Sequence, residues 1–156
     1  MKNETVKEFW QEYCRQNPNV NPNEDYQVWF FGDSQEMSVT LANFVIFGTK
    51  RATASLSLIN KLKPENAPIM NGYSVVTDFS GKPLCIIQTT EIREIPFLEV
   101  DFNFAKAEGE GDENIESWRK GHRDYFTKEC KEAGFEFNET MLVCCERFEL
   151  ICTEFA

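Results

Sequence analysis

The sequence predicts one α+β domain, in which a mostly antiparallel sheet or small β-barrel is flanked by helices. Three segments with apolar residues at helical spacing predict the helices, and three apolar segments bounded by turn residues predict most of the sheet. The chain has 156 residues, which fits a single domain over residues 1–156. Its fourteen phenylalanines and three tryptophans predict a well-packed core.

Two helices are expected in the first third of the chain. An amphipathic helix over about residues 3–16 is expected as an addition to the core, because apolar side chains recur at helical spacing in Val6, Phe9, Trp10 and Tyr13. The second helix is expected to begin at Asp33, with Glu36 completing a capping box, and to end at Gly48. Lys50 would then lie just beyond a helix C-terminus.

The remaining elements are two strands, a long helix and a last strand. The segments YSVVTDF and LCIIQTTEIREI are predicted to form a hairpin, because the turn-forming SGKP separates them. The segment GEGDENIESWRKGHRDYFTKECKEAG predicts a long helix, with Asp112 as its cap and Gly134 as its stop. The apolar segment MLVCCERFELIC predicts the final strand.

Composition excludes several classes of protein. A formal charge of −10 argues against sequence-independent binding to long duplex nucleic acid, because the affinity of such binding comes from neutralising many phosphates. The six cysteines lie within apolar patterns, so we expect buried thiols and no disulfides. With no signal peptide pattern and no apolar run long enough for a bilayer, we expect a cytoplasmic protein that does not contact membranes.

The first stretch that could carry chemistry is GTKRATAS, in which Gly48, Lys50 and Thr53 follow the spacing G-x-K-x-x-T. In a plain strand the side chains of Lys50 and Thr53 would point to opposite faces. They can share a pocket only if the backbone turns after Gly48 before it extends. The other interpretation is a helix stop followed by an edge strand with solvated Lys50 and Arg51.

The second stretch, AKAEGEGDEN, alternates carboxylates with glycines. Gly109 and Gly111 let the backbone fold tightly and aim Glu108 and Glu110, which a helix would scatter. These carboxylates could also be acidic residues favoured by the dipole of the following helix. The spacing does not follow a calcium-binding loop, and we expect no metal site and no cofactor.

The third stretch, WRKGHRDYF, holds the only histidine of the chain. Trp118, His122 and Phe126 fall on one helical stripe, which predicts either a packed histidine or one that faces a ligand. Arg119 and Arg123 lie beside it, either as a solvated edge or as part of an anion-facing patch.

Taken in order, these stretches resemble the ASCH (ASC-1 homology) superfamily, and most closely its stand-alone bacterial members. The resemblance runs from about Phe30 to Phe148 through FFGDS, FGTKRATASL, VVTDFSGKPLCII, AEGEGD, WRKGHRDYF and CCERFEL. It implies a small, mixed or antiparallel β-barrel similar to the PUA RNA-binding domain. It also implies a nucleotide- or RNA-related cleft between the barrel and the helix that ends at Gly48.

Some small members of this superfamily are amidohydrolases that remove the acetyl group of N4-acetylcytidine. The resemblance places their lysine, threonine and glutamate on Lys50, Thr53 and Glu110, with Glu108 as the alternative glutamate. Thr53 would be the nucleophile, with Lys50 as its base or as a cation facing the oxyanion, and Glu110 would hold the leaving amine or a water.

Two other hypotheses stay open at the level of sequence. The chain could be a non-catalytic module that binds a nucleotide or short single-stranded RNA, or one that recognises a metabolite to regulate a partner. Other members of the superfamily are ribonucleases, but a second histidine for an acid–base pair is missing. The ligand contacts expected beside the catalytic residues are Gly48, Arg51, Trp118, Arg119, His122 and Arg123. The sequence leaves the oligomeric state open.

Overall fold

The computed structural model describes residues 2–153, so Met1 and residues 154–156 of the predicted domain lie outside the described part. Within residues 2–153, five α-helices and five strands alternate irregularly. The helices are α1 (Glu4–Gln16), α2 (Gln35–Phe47), α3 (Ser57–Leu62), α4 (Phe102–Glu108) and α5 (Ile115–Glu132). The strands are β1 (Tyr26–Trp29), β2 (Ala52–Leu56), β3 (Tyr73–Thr77), β4 (Pro83–Pro96) and β5 (Leu142–Cys152).

The strands form one mixed sheet in the order β1-β3-β4-β5-β2. The β1–β3 pair is parallel and the other pairs are antiparallel, with the predicted hairpin formed by β3 and β4. Register shifts interrupt the long β4–β5 ladder, and such bulges increase the twist of a sheet. The α+β class is thus confirmed. The expected closed barrel is not found, because β1 and β2 are unpaired edges within residues 2–153.

Most predicted helix ends agree with the structure, and two caps differ. Gly48 ends α2 in the left-handed region with a φ of 93°, as expected. The cap of α2 is Ser34 and not Asp33, because the Ser34 side chain accepts the backbone N–H of Met37. The cap of α5 is Asn114 and not Asp112, since Asn114 accepts from the N–H of Ser117.

Among the described residues, apolar packing occurs in three clusters around the sheet. Helix α1 is part of this packing, because Val6 and Trp10 are buried against Val75 of β3 and Ile86 of β4. Helix α2 packs on the same sheet through Ala42 and Val45. The largest cluster joins β2, α4 and α5 around Trp118 and fixes the segments that carry the site described below.

The cysteines are buried thiols, as the sequence predicted. Cys14, Cys85, Cys130, Cys144 and Cys145 are buried and free, and Cys152 is partly buried and free. Burial raises the pKa of Cys85 to about 12, so this thiol stays protonated and unreactive at neutral pH. Within residues 2–153 no helix has the length and apolar character required to cross a membrane.

Candidate functional site

The end of α2 turns Lys50 into the interior of the protein. The backbone N–H groups of Gly48, Thr49 and Lys50 all donate to the carbonyl oxygen of Phe44, at 3.0–3.1 Å. The Arg51 guanidinium closes the turn by donating from Nη1 to the carbonyls of Val45 and Lys50, at 2.7 and 2.8 Å. The turn that the sequence analysis required before β2 is therefore present. Gly48 and Arg51 build this turn and do not line the cavity described below.

Lys50 is buried among acceptors. Its side chain is 1% exposed, and Nζ lies 2.7 Å from Oε2 of Glu110 and 3.6 Å from Oε2 of Glu108. Nζ also lies 3.4 Å from the backbone carbonyl of Glu108 and 5.2 Å from the centre of the Phe31 ring. These are the partners that an ammonium group needs when it leaves water.

A close contact between two loops places the carboxylates beside Lys50. Gly109 ends α4 with a φ of 64°, and a Cβ atom there would lie 1.8 Å from the carbonyl oxygen of Thr49. The backbone N–H of Arg51 donates to the carbonyl of Ala107 at 2.7 Å. Only glycine permits both this conformation and this approach. Gly109 of AEGEGD thus lets the lysine loop, residues 48–51, pack against the glutamate loop, residues 107–110.

Glu108 is the centre of a buried hydrogen-bond network. Its side chain is 2% exposed, and Oε1 accepts from Nε1 of Trp118 at 2.5 Å and lies 3.2 Å from Nε2 of His122. Nδ1 of His122 lies 3.0 Å from the carbonyl of Trp118, and the two rings stack at 4.1 Å. Because both ring nitrogens of His122 face acceptors, the geometry fits the doubly protonated imidazolium.

The network shifts the pKa values of its members in opposite directions. Burial alone would raise the pKa of Glu108, but the hydrogen bond from His122 and the charge of Lys50 hold it below its ordinary value. Burial alone would lower the pKa of His122, but the Glu108 carboxylate raises it above 6.5. Burial raises the pKa of Glu110, and the neighbouring Glu108 adds to this against the attraction of Lys50.

A cavity of about 840 Å³ opens onto these residues between the two edges of the sheet. Lys50, Thr53 and Glu110 line it together, as the family resemblance implied, and His122 lines it as well. Both β1 and β2 contribute walls, so the cavity occupies the gap at which the sheet remains open. The lining also includes the aromatic side chains of Trp29, Phe30, Phe31, Phe79 and Tyr125.

Three predicted ligand contacts lie elsewhere. Trp118 is fully buried and hydrogen-bonded to Glu108, so its ring offers no stacking surface to a ligand. Arg119 donates to Glu116 and to the carbonyl of Leu98. Arg123 is paired with Glu139 at 2.7 Å. None of the three belongs to the cavity lining that the structure describes.

The structure adds a cavity residue that the sequence analysis missed. Glu146 of β5 is 7% exposed, lines the cavity and accepts the hydroxyl of Thr89 at 2.6 Å. One sequence signal could have found it, since Glu146 is a charged residue inside the apolar strand CCERF. Across residues 2–153 no group of three or more histidine, cysteine, aspartate or glutamate side chains is arranged to hold a metal ion.

Chemically, the described lining of the cavity combines the buried ammonium of Lys50 with several carboxylates and the hydroxyl of Thr53. Thr53 is half-buried on β2, and its hydroxyl has no hydrogen-bond partner among the described residues. A hydroxyl that shares a cavity with a cation and acceptors provides the groups used for acyl transfer, in which a nucleophile loses a proton and an oxyanion forms.

Comparison with known proteins agrees with this fold. Residues 27–152 match the family model of the ASCH domain. The ASCH domain from Lactobacillus crispatus JV V101 superposes with a TM-score of 0.85 at 32% identity, covering 95% of this chain and 94% of that chain. A protein from Enterococcus faecalis V583 gives a TM-score of 0.84 at 32% identity, covering 95% and 88%. Among curated proteins no significant match was found. The chain belongs to the ASCH domain family.

Proposed function

We propose that the protein hydrolyses the amide of an acylated nucleoside, of the N4-acetylcytidine type, in the cavity lined by Lys50, Thr53 and Glu110. One observation carries the proposal. The buried ammonium of Lys50 lies 2.7 Å from Glu110, and the unpartnered hydroxyl of Thr53 lines the same cavity. A buried charge in a cleft, held by named partners, is typical of functional sites.

The contacts of Lys50 favour the cation role over the base role. Its Nζ is surrounded by two carboxylates and a carbonyl, which favour the charged ammonium over the neutral amine, and in the proposed mechanism this charge stabilises the developing oxyanion. Thr53 attacks the acyl carbonyl carbon and loses its proton to a carboxylate of the cavity. The C–N bond then breaks, and the leaving nitrogen receives a proton from the Lys50–Glu110 pair.

Water completes the cycle. It attacks the Thr53 ester and returns a proton to the Lys50–Glu110 pair, while the threonine oxygen regains the proton that it lost. The net reaction converts an amide and water into a carboxylic acid and an amine. Burial raises the pKa of Glu110 above its ordinary value, which favours proton uptake by this carboxyl group.

The lining also indicates the kind of substrate. Carboxylates outnumber cations along the wall, with Glu108, Glu110, Asp112, Glu129 and Glu146 against Lys50 and His122. A phosphate group would be repelled there, whereas an uncharged nucleoside would not. Exposed aromatic rings at the cavity, including Phe30 and Phe79 at 39% and 50% exposure, offer flat surfaces to a base.

Release of cytidine from N4-acetylcytidine by the purified protein tests this proposal, with other acylated and unmodified nucleosides run in parallel. Turnover by the wild type, lost in Thr53→Ala and retained in Thr127→Ala, supports the proposal. Thr127 is an exposed threonine of α5 and serves as the matched control. Binding of Thr53→Ala should stay within a few fold, since loss of a nucleophile removes chemistry more than ground-state contacts.

A different result would favour the alternative hypothesis of a non-catalytic module that binds short single-stranded RNA. It would consist of no turnover on any acylated nucleoside, together with affinity for short single-stranded RNA that falls steeply with salt. In that case Lys50→Ala should flatten the salt dependence by about one unit of slope, and Thr53→Ala should change little.

A further inference from the structure

Glu146 is an acidic residue of the cavity wall, and it lies opposite Thr53 on the neighbouring strand. In the antiparallel β2–β5 ladder Thr53 pairs directly with Glu146. Residues paired in this way point to the same face, with their Cβ atoms about 4.5–5.5 Å apart. Both residues line the cavity. The side chain of glutamate is long enough to reach a hydroxyl at this distance.

The contacts of Glu146 leave one carboxylate oxygen for this task. Oε2 is held by the hydroxyl of Thr89 on β4, at 2.6 Å. Oε1 has no hydrogen-bond donor within the described residues. The Thr89 hydroxyl fixes the orientation of the carboxyl group without satisfying it, and an oriented acceptor with a free oxygen is what a hydroxyl nucleophile requires.

The other two glutamates near Lys50 are already engaged. Glu110 holds the Lys50 ammonium at 2.7 Å, and Oε1 of Glu108 is bound by Trp118 and His122. Neither carboxylate is paired with Thr53 by strand register. Glu146 is therefore better placed than either of them to remove a proton from Thr53.

We propose that Glu146 is the catalytic base that takes the proton of the Thr53 hydroxyl. The proposal rests on the function proposed above and completes its proton balance. As the bond from Oγ1 of Thr53 to the acyl carbon forms, the hydroxyl proton moves to Oε1 of Glu146. When water later cleaves the threonine ester, the same proton returns to Oγ1.

The electrostatic surroundings agree with this role. Burial raises the pKa of Glu146, and the hydrogen bond from Thr89 and the charge of Lys50 only partly oppose it. Cys144, on the same strand, is a neutral neighbour, because burial raises the pKa of its thiol to about 11. A carboxylate with a raised pKa accepts a proton more readily than an exposed one.

The test measures the nucleophilicity of Thr53 without a nucleoside. The full-length protein is treated with p-nitrophenyl acetate, and acetylation of Thr53 is followed by peptide mass spectrometry. We expect acetylation of Thr53 in the wild type and a rate about 100-fold lower in Glu146→Gln. Glu149→Gln, an exposed glutamate three residues along β5, should react at the wild-type rate. Thermal unfolding of each variant checks that it is folded.

A second variant guards against a purely structural effect. Glu146→Asp keeps a base at a shorter reach, so it should retain more acetylation than Glu146→Gln. Wild-type acetylation in Glu146→Gln would overturn the proposal, and so would a folded Glu146→Asp that is no faster than Glu146→Gln. If acetylation depends on Glu146 but N4-acetylcytidine is not hydrolysed, the proposed substrate would be wrong, whereas the proposed role of Glu146 as the base would be supported. Absence of Thr53 acetylation in the wild type would overturn both.

Discussion

Lys50, in the cavity, and Arg123, on the surface of α5, both carry positive charge, yet their surroundings differ. Lys50 is 1% exposed and contacts Glu110 and Glu108 in a cavity. Arg123 is 42% exposed and pairs with Glu139 on the surface, outside that cavity. Burying a charge is unfavourable unless partners compensate, whereas a surface pair forms with little consequence. The comparison teaches that burial among opposite charges, and not positive charge alone, distinguishes the candidate site from the rest of the charged surface.

The largest expected difference between the two regions is in turnover. Lys50→Ala should lower the turnover of N4-acetylcytidine about 100- to 1,000-fold, because it removes the cation that the proposed mechanism places opposite the oxyanion. Arg119→Ala should stay within about twofold, because its guanidinium contacts Glu116 and Leu98 and no cavity residue. Steady-state kinetics of both variants, with circular dichroism to check folding, provides the measurement. Equal losses in the two variants would contradict the comparison.

The next difference is in stability. Glu108→Gln should lower the free energy of unfolding by about 3–5 kcal/mol, because it leaves the buried Lys50 and His122 without their shared counter-charge. Glu116→Gln, which breaks the exposed pair with Arg119, should change stability by less than about 1 kcal/mol. Urea unfolding at neutral pH measures both values. A small effect in Glu108→Gln would show that the network is not held together by charge.

A third prediction tests the contact between the lysine loop and the glutamate loop. Gly109→Ala should destabilise the protein by about 2–4 kcal/mol, because its Cβ would overlap the carbonyl of Thr49 at a positive φ. Gly111→Ala should cost only about 1 kcal/mol, since it has a φ of 92° but open space around it. Thermal unfolding compares the pair. Similar losses in both variants would refute the close approach as the reason for Gly109.

The smallest effect is a pKa shift that reports on the network directly. His122 is the single histidine of the chain, so its imidazole gives one resolved NMR titration. Its pKa should lie above 6.5, because the attraction of Glu108 outweighs the opposing effect of burial. Since the folded pKa is raised, charged His122 stabilises the fold below about pH 6.5, and this contribution is lost as the pH rises through the folded pKa.

Two substitutions separate the causes of that shift. Glu108→Gln should lower the pKa of His122, because it removes the hydrogen-bonded carboxylate. Glu139→Gln, at the surface arginine pair, should leave it where it is in the wild type. A His122 pKa that does not respond to Glu108→Gln would exclude the buried pair as its cause.

Local sequence patterns predicted the parts of the site that depend on backbone geometry. A helix stop at Gly48 and the glycines of AEGEGD imply turns whose side chains can converge, and the structure brings Lys50, Thr53 and Glu110 to one cavity. The family resemblance, confirmed by the match over residues 27–152, selected these residues among many charged ones. The catalytic roles of Lys50, Thr53 and Glu110 stay predictions until turnover is measured.

The parts that the sequence did not predict depend on contacts between distant segments. Glu146 faces Thr53 only because β5 pairs with β2, which lies about ninety residues earlier in the chain. Arg119 and Arg123 neighbour His122 along α5, but helical spacing alone cannot show that they turn towards Leu98 and Glu139. Whether a sheet closes is likewise set by long-range pairing, and here β1 and β2 remain apart.

The central claim is tested most directly by rapid-quench mass spectrometry of the protein mixed with N4-acetylcytidine. The account predicts an acetyl group on Thr53 that appears together with the first cytidine released, decays as acetate forms, and is absent in Thr53→Ala. Cytidine release without any acetylation of Thr53, or with the acetyl group on another residue, would contradict the account.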